Sequence, residues 1–234
     1  MDVKQIARDR FLVFVLCYSV LLAFAVRVGV PRLAPVLVAR HGVDIVPYYG
    51  LLSSFVGLTM GASMVGMVLG FLLLDARETR VIEALSVSPV TFDRFLSYRV
   101  AMPMVLAVAL NPLCAVIGGV GLPGPLPLLT LSVIGILFAG LSTLALATFA
   151  DNKVQAFAVM KMISGMSLIP LAGYFVDEPR QFLLGVFPPY WLFKAWWTAV
   201  DGGSWWLFAV VALLSNLALL WGMKRRFVRL VRHG

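Results

Sequence analysis

Six long apolar runs divide the chain, at about residues 11–30, 47–74, 97–120, 125–150, 154–176 and 204–223, each bounded by charges or by proline and glycine. A bilayer core of about 30 Å needs about 20 residues of helix, so each run is long enough to cross once. The pattern predicts an all-α membrane protein, one transmembrane domain over residues 1–234 with six spans. The stretch GGVGLPGPLP, Gly118 to Pro127, predicts a tight reversal between spans three and four, because glycine permits and proline imposes turn dihedrals. Before the first run, Val3, Ile6 and Ala7 share one face among charges, the pattern of a short interfacial helix; a frayed polar end fits the same residues. Lys4, Arg8 and Arg10 ahead of an apolar run, with Ala23-Phe24-Ala25 following, also resemble a signal peptide. The expectation is an uncleaved first helix, since five further spans need a companion.

The connection between spans two and three, LLLDARETRVIEALSVSPVTFDRFLSYRV, is both charged and helical in pattern. From Ala76 to Val87, Val81, Ile82 and Leu85 form an apolar face while Arg77, Glu78, Arg80 and Glu83 occupy the rest. Arg80 and Glu83 stand at the i,i+3 spacing that allows pairing. This predicts an amphipathic helix outside the membrane. Pro89 should stop it, and Ser88 or Thr91 can cap the next helix.

Composition removes the soluble classes: 61% of residues are hydrophobic, 13% are charged and the mean hydropathy is +0.96. The net charge of +8 does not point to nucleic acid, because the basic residues sit at the ends of apolar runs. Their distribution sets topology instead. With the N-terminus inside, the cytoplasmic segments hold Lys4, Arg8, Arg10, Arg77, Arg80, Arg94, Arg99, Lys153, Lys224, Arg225, Arg226, Arg229 and Arg232. The other side holds Arg27, Arg32, Arg40, Arg180 and Lys194, so both termini are expected in the cytoplasm of a bacterial plasma membrane. The basic tail also suits contact with anionic membrane lipid.

Candidate chemistry is sparse. His41 and His233 fall on opposite sides of the bilayer and no acidic residue lies within a span, so neither a catalytic centre nor a metal site is expected. Cys17 and Cys114, both inside apolar runs, read as small core residues. Helix two carries Gly57, Gly61, Ala62, Gly66 and Gly70, a spacing that allows close helix packing. Met60, Met64 and Met67 on the same helix, with Asn111 and Asn216 in spans three and six, are candidates for a substrate pathway. Lys161, inside span five, reads as a lysine that snorkels to the interface. An ion-coupled carrier is the alternative class; it normally places ionisable groups near the midplane, and these residues do not.

The second-to-third connection resembles the coupling helix of ABC-2 type permeases, the membrane subunits of ATP-binding-cassette exporters. Arg77, Glu78, Glu83, Leu85, Ser88, Pro89 and Val90 match that family's order, with Arg80-Val81 where Gly-Thr is usual. The segment before span six is similar to the family's re-entrant helices: it is apolar, broken at Pro188-Pro189 and rich in Trp191, Trp196 and Trp197. An aromatic belt on an interfacial loop fits it equally. The resemblance implies a cytoplasmic ATPase subunit contacted by Arg77, Glu78, Arg80, Glu83, Leu85, Ser88, Pro89 and Val90, and a second permease, identical or homologous. No phosphate-binding GxxxxGK[ST] loop occurs in the chain, so ATP and Mg are expected in the partner and no cofactor here. The expected function is export of a hydrophobic compound, such as a drug or lipid.

Overall fold

The computed structural model describes residues 10–79, 92–177 and 179–233. The interfacial segment expected before Arg10 lies outside the described residues, as does 80–91 with Arg80, Glu83, Leu85, Ser88, Pro89 and Val90. Every regular element among the described residues is helical. Six helical stretches there are long and apolar enough to cross a membrane: Cys17–His41, Val46–Glu78, Phe92–Gly118, Pro125–Phe149, Lys153–Phe175 and Trp206–Val231.

Span one is carried by α1 (Arg10–His41), which runs past Val30 through Pro31 and Pro35. Each proline removes one helical bond, but the apolar residues beyond them keep the chain helical. Span two is assembled from a 3-10 turn at Val46–Tyr48, α2 (Tyr49–Phe55), a π-helical turn at Val56–Met60 and α3 (Gly61–Glu78). Ala76, Arg77 and Glu78, expected to begin a separate helix, are the last turn of α3. Span three is α4 (Phe92–Gly118), and span four is divided between α5 (Pro125–Gly135) and α6 (Leu137–Phe149). Span five is α7 (Lys153–Leu168), prolonged by a 3-10 stretch at Ile169–Phe175. A second 3-10 stretch (Arg180–Val186) and α8 (Pro189–Val200) precede α9 (Trp206–His233), which carries span six.

Spans two and four form the buried centre. Leu58, Ala62, Val65 and Leu73 on one, and Leu131, Ala139, Leu144 and Leu146 on the other, are fully buried. Small residues permit this contact, as the glycine spacing predicts. A Cβ at Gly66 would stand 2.3 Å from the Ala139 carbonyl oxygen, and Thr143 Oγ1 donates 2.9 Å to the Gly66 carbonyl across the same seam. The reversal between spans three and four falls where the Gly-Pro stretch places it. Gly121 has φ +55°, and its carbonyl accepts from Ser53 Oγ at 2.7 Å.

Asn111, fully buried on α4, joins irregularities in two neighbouring helices. In a regular α-helix the Ala62 N–H would bond the Leu58 carbonyl. Here Ala62 donates instead to Asn111 Oδ1 at 2.8 Å, and Asn111 Nδ2 donates to the Leu58 carbonyl at 3.3 Å. The amide is thus inserted into the opened turn. Between α5 and α6 the Ile136 N–H turns to Val133 at 3.2 Å, and the Ser132 carbonyl it leaves accepts from the same Asn111 Nδ2 at 3.3 Å. Backbone groups freed inside a membrane need such partners, since no water replaces them.

The segment before span six also dips into the bundle. Asn216 lies ten residues along α9 from Trp206, about 15 Å at the helical rise. Its Nδ2 donates to the Pro188 carbonyl at 3.2 Å, so the turn that opens α8 packs against the middle of α9. Tyr190, Phe193, Trp196 and Trp197 bury one face of α8, and the indoles donate at 3.0 Å to Ser53 Oγ and Ser54 Oγ of α2. These two tryptophans are buried inside the bundle.

Candidate functional site

Two features lie at or near the end of the bundle where α1 begins at Arg10 and α9 ends at His233. The first is the base of the 80–91 connection. Arg77 turns inward, its side chain 24% exposed, and its guanidinium donates to the carbonyls of Ala147 at 2.9 Å and Ala150 at 3.2 Å. These carbonyls belong to the C-terminal end of α6, where the helix leaves acceptors unpaired and its dipole favours a cation. The other Arg77 nitrogen meets Asp151 at 2.6 Å, and Lys153 meets Asp75 at 2.9 Å. Two residues at the end of span two therefore grip two residues where span five begins. Both pairs reach solvent, through Asp151 in one and through both partners in the other, and each alone contributes at most about 1 kcal/mol, but together with the carbonyl bonds they fix the joint. Asn152 caps α7 by accepting from the Gln155 N–H at 2.9 Å, which stiffens the start of span five.

The other end of the connection is fastened to span six. Lys224 on α9 pairs with Asp93 at 3.1 Å and donates to Ser97 Oγ at 3.0 Å, while Phe92 stacks on buried Phe227 at 6.4 Å between ring centres. Asp75 and Arg77, before residue 80, are thus held at the start of span five, and Phe92, Asp93 and Ser97, after residue 91, are held by span six. Of the residues expected to meet an ATPase, Arg77 is engaged within the chain and Glu78 is exposed.

The second feature is a groove of about 640 Å³ whose walls are spans four, five and six. Phe138, Leu141, Ser142, Ala145 and Phe149 line it from span four at one-face helical spacing. Val159, Met162, Ile163, Met166 and Ser167 do the same from span five, and Leu219 and Met223 from span six. Phe187, Pro188 and Pro189 close it at mid-depth, under the Asn216 hydrogen bond. The lining is apolar apart from two serines, of which Ser167 donates to its own helix at Ile163, 2.8 Å away.

None of Met60, Met64, Met67, Asn111 and Asn216 lines this groove. Met67 is buried in helix packing, Met60 and Met64 are half-buried, and both asparagines hold backbone. Asn216 Oδ1 is buried with no hydrogen-bond partner among the described residues. Lys161 is exposed on α7, two residues from Val159 and therefore about 200° around the helix from the groove stripe. The groove-lining methionines of span five were open to sequence reasoning: Met162 and Met166 are four apart on an apolar run, the same signal that singles out Met60 and Met64.

Six helices long and apolar enough to cross a bilayer mark an integral, multi-pass membrane protein. The chain belongs to the Rv2686c-like family of fluoroquinolones export permease proteins, whose model matches residues 2–224. This agrees with the resemblance to ABC-2 type permeases and makes the chain an export permease. It is similar to the fluoroquinolones export permease protein Rv2686c of Mycobacterium tuberculosis (strain ATCC 25618 / H37Rv) and to MT2760 of strain CDC 1551 / Oshkosh. Each is 31% identical over 231 residues, covering 97% of this chain and 90% of the relative. No solved structure matches.

Proposed function

We propose that this chain is the membrane subunit of an ATP-binding-cassette exporter that moves a largely aromatic drug, of the fluoroquinolone kind, out of a bacterial cell. Two permease subunits, identical or homologous, pair in the plasma membrane with both termini in the cytoplasm. ATP and Mg reside in cytoplasmic ATPase subunits that engage the 80–91 segment. The observation that carries this reading is how that segment is anchored: its two ends are tied to spans five and six, two of the three walls of the groove. A push on the segment is delivered through Asp75 and Arg77 to Asp151 and Lys153, and through Asp93 and Ser97 to Lys224. Rigid helices turn that push into relative movement of the walls, the kind of rigid-body shift that alternates access.

The contact itself is assigned to Glu78, Arg80, Glu83 and the stretch from Leu85 to Val90, with Arg77 bracing it from behind. The test is affinity purification of the tagged chain from its native cell, with the ATP-binding-cassette ATPase that copurifies quantified. Wild type is expected to retain the ATPase, and a Glu83→Lys, Leu85→Ala double variant to lose at least about tenfold of it, the effect of reversing one charge and emptying one apolar contact. Equal recovery of the ATPase by both proteins would remove the segment from the interface.

A further inference from the structure

The groove has two unlike ends. At mid-depth it is shut by the Phe187-Pro188-Pro189 turn, and towards the terminal end of the bundle it is lined by Phe149. The Arg226 guanidinium lies over the Phe149 ring, 4.7 Å from its centre. Arg226 comes seven residues after Leu219 and three after Met223, which places it on the face of α9 that walls the groove. No described carboxylate pairs with it. A guanidinium presents a planar fork of donors suited to a carboxylate.

A trough with aromatic and thioether walls and one cation at its mouth selects a flat aromatic body with an acid at one end. Phe138, Phe149 and Phe187 supply aromatic carbon to the lining, and Met162 and Met166 supply thioethers that suit an aromatic edge. The volume of about 640 Å³ suits a drug-sized ligand. We propose that this groove is the binding site for the exported compound, an aromatic carboxylic acid, with Arg226 holding the carboxylate while the rings lie between spans four, five and six. The inference rests on the exporter reading above and adds to it the place and polarity of binding. Fluoroquinolones, planar bicyclic aromatic acids, have this chemistry. Under the proposed orientation the groove lies in the cytoplasmic half of the bundle, on the side from which an exported compound is loaded.

The test uses the full chain in phosphatidylcholine nanodiscs and tracks the intrinsic fluorescence anisotropy of ciprofloxacin and of its methyl ester. Arg226→Gln should weaken binding of the acid about tenfold and leave the ester unchanged, whereas Arg226→Lys should retain much of the acid's affinity. Met166→Trp, at a position 53% exposed and outside the packed core, should abolish binding of both by filling the trough. If wild type binds neither compound, the drug-substrate part of the exporter reading falls and this site with it. If wild type binds the acid and Met166→Trp binds it equally well, the exporter reading stands and the groove is not the site; a lipid chain or a second protein then covers it. Equal losses for acid and ester in Arg226→Gln would contradict the carboxylate contact.

Discussion

Replacing Asn111 with leucine is expected to destabilise the protein by about 3 kcal/mol, read as the shift in its unfolding midpoint in detergent. Leucine has the same branching and number of heavy atoms and is the bulkier of the two, so no cavity opens and the main loss is of hydrogen bonds. Three backbone groups lose their partners: the Ala62 N–H and the carbonyls of Leu58 and Ser132. Interhelical side-chain bonds in membranes average only about 0.6 kcal/mol, because the separated helices find other partners. That discount does not apply here, since the opened turns can satisfy these groups only by rewinding to α-helix, and rewinding shifts the register of spans two and four. Buried, unpaired backbone groups in a membrane cost several kcal/mol each, so rewinding one turn and stranding the rest leaves about the stated figure. A loss below about 1 kcal/mol would mean that the π-helical turn does not depend on Asn111.

Gly66→Ala is expected to be nearly as damaging, by about 2–4 kcal/mol, although alanine is the better helix former by about 1 kcal/mol. The added methyl would meet Ala139 O at 2.3 Å, Ser142 Cβ at 2.8 Å and Ala139 Cα at 2.9 Å. Two of those atoms are backbone and cannot rotate away, so spans two and four must separate along their most buried seam. Separation also stretches the Thr143-to-Gly66 hydrogen bond. Gly165 supplies the control: a Cβ there meets nothing within 4 Å, so Gly165→Ala should leave the midpoint unchanged or raise it slightly. Equal effects at the two sites would show that the helices have room to spare at Gly66.

The spans were legible because a membrane crossing is set by length and apolarity, which are local properties. The run at 125–150 corresponds within a residue to Pro125–Phe149, and 154–176 to Lys153–Phe175. Ends drawn at the first charge were too short where helix continues into the interface. Span two runs on to Glu78, span three begins at Phe92, and α9 runs through Lys224 and Arg225 to His233, since lysine and arginine are good helix formers. The small-residue spacing on helix two was readable for the same reason, as packing along one face. Residues whose role depends on another helix were not. Asn111 and Asn216 stood out as polar groups in apolar runs, but nothing nearby in sequence reveals the opened turns and the Pro188 carbonyl they serve. Arg77 reads as a charge for a partner until Ala147, Ala150 and Asp151, some seventy residues on, appear beside it. The groove escaped notice because its walls come from three separate spans, each with an ordinary apolar stripe.

Under the proposed mechanism, force from ATP hydrolysis enters through the 80–91 segment and moves the drug-binding walls. Inverted membrane vesicles containing the chain and its ATPase subunit measure this directly, as ATP-dependent uptake of ciprofloxacin into the vesicle lumen. Wild-type vesicles should accumulate the drug with ATP and not with a non-hydrolysable analogue, and the Glu83→Lys, Leu85→Ala variant should abolish uptake while still binding the drug. Uptake that persists without the ATPase subunit, or that is driven by an imposed proton gradient in the absence of ATP, would contradict this mechanism and point to an ion-coupled carrier.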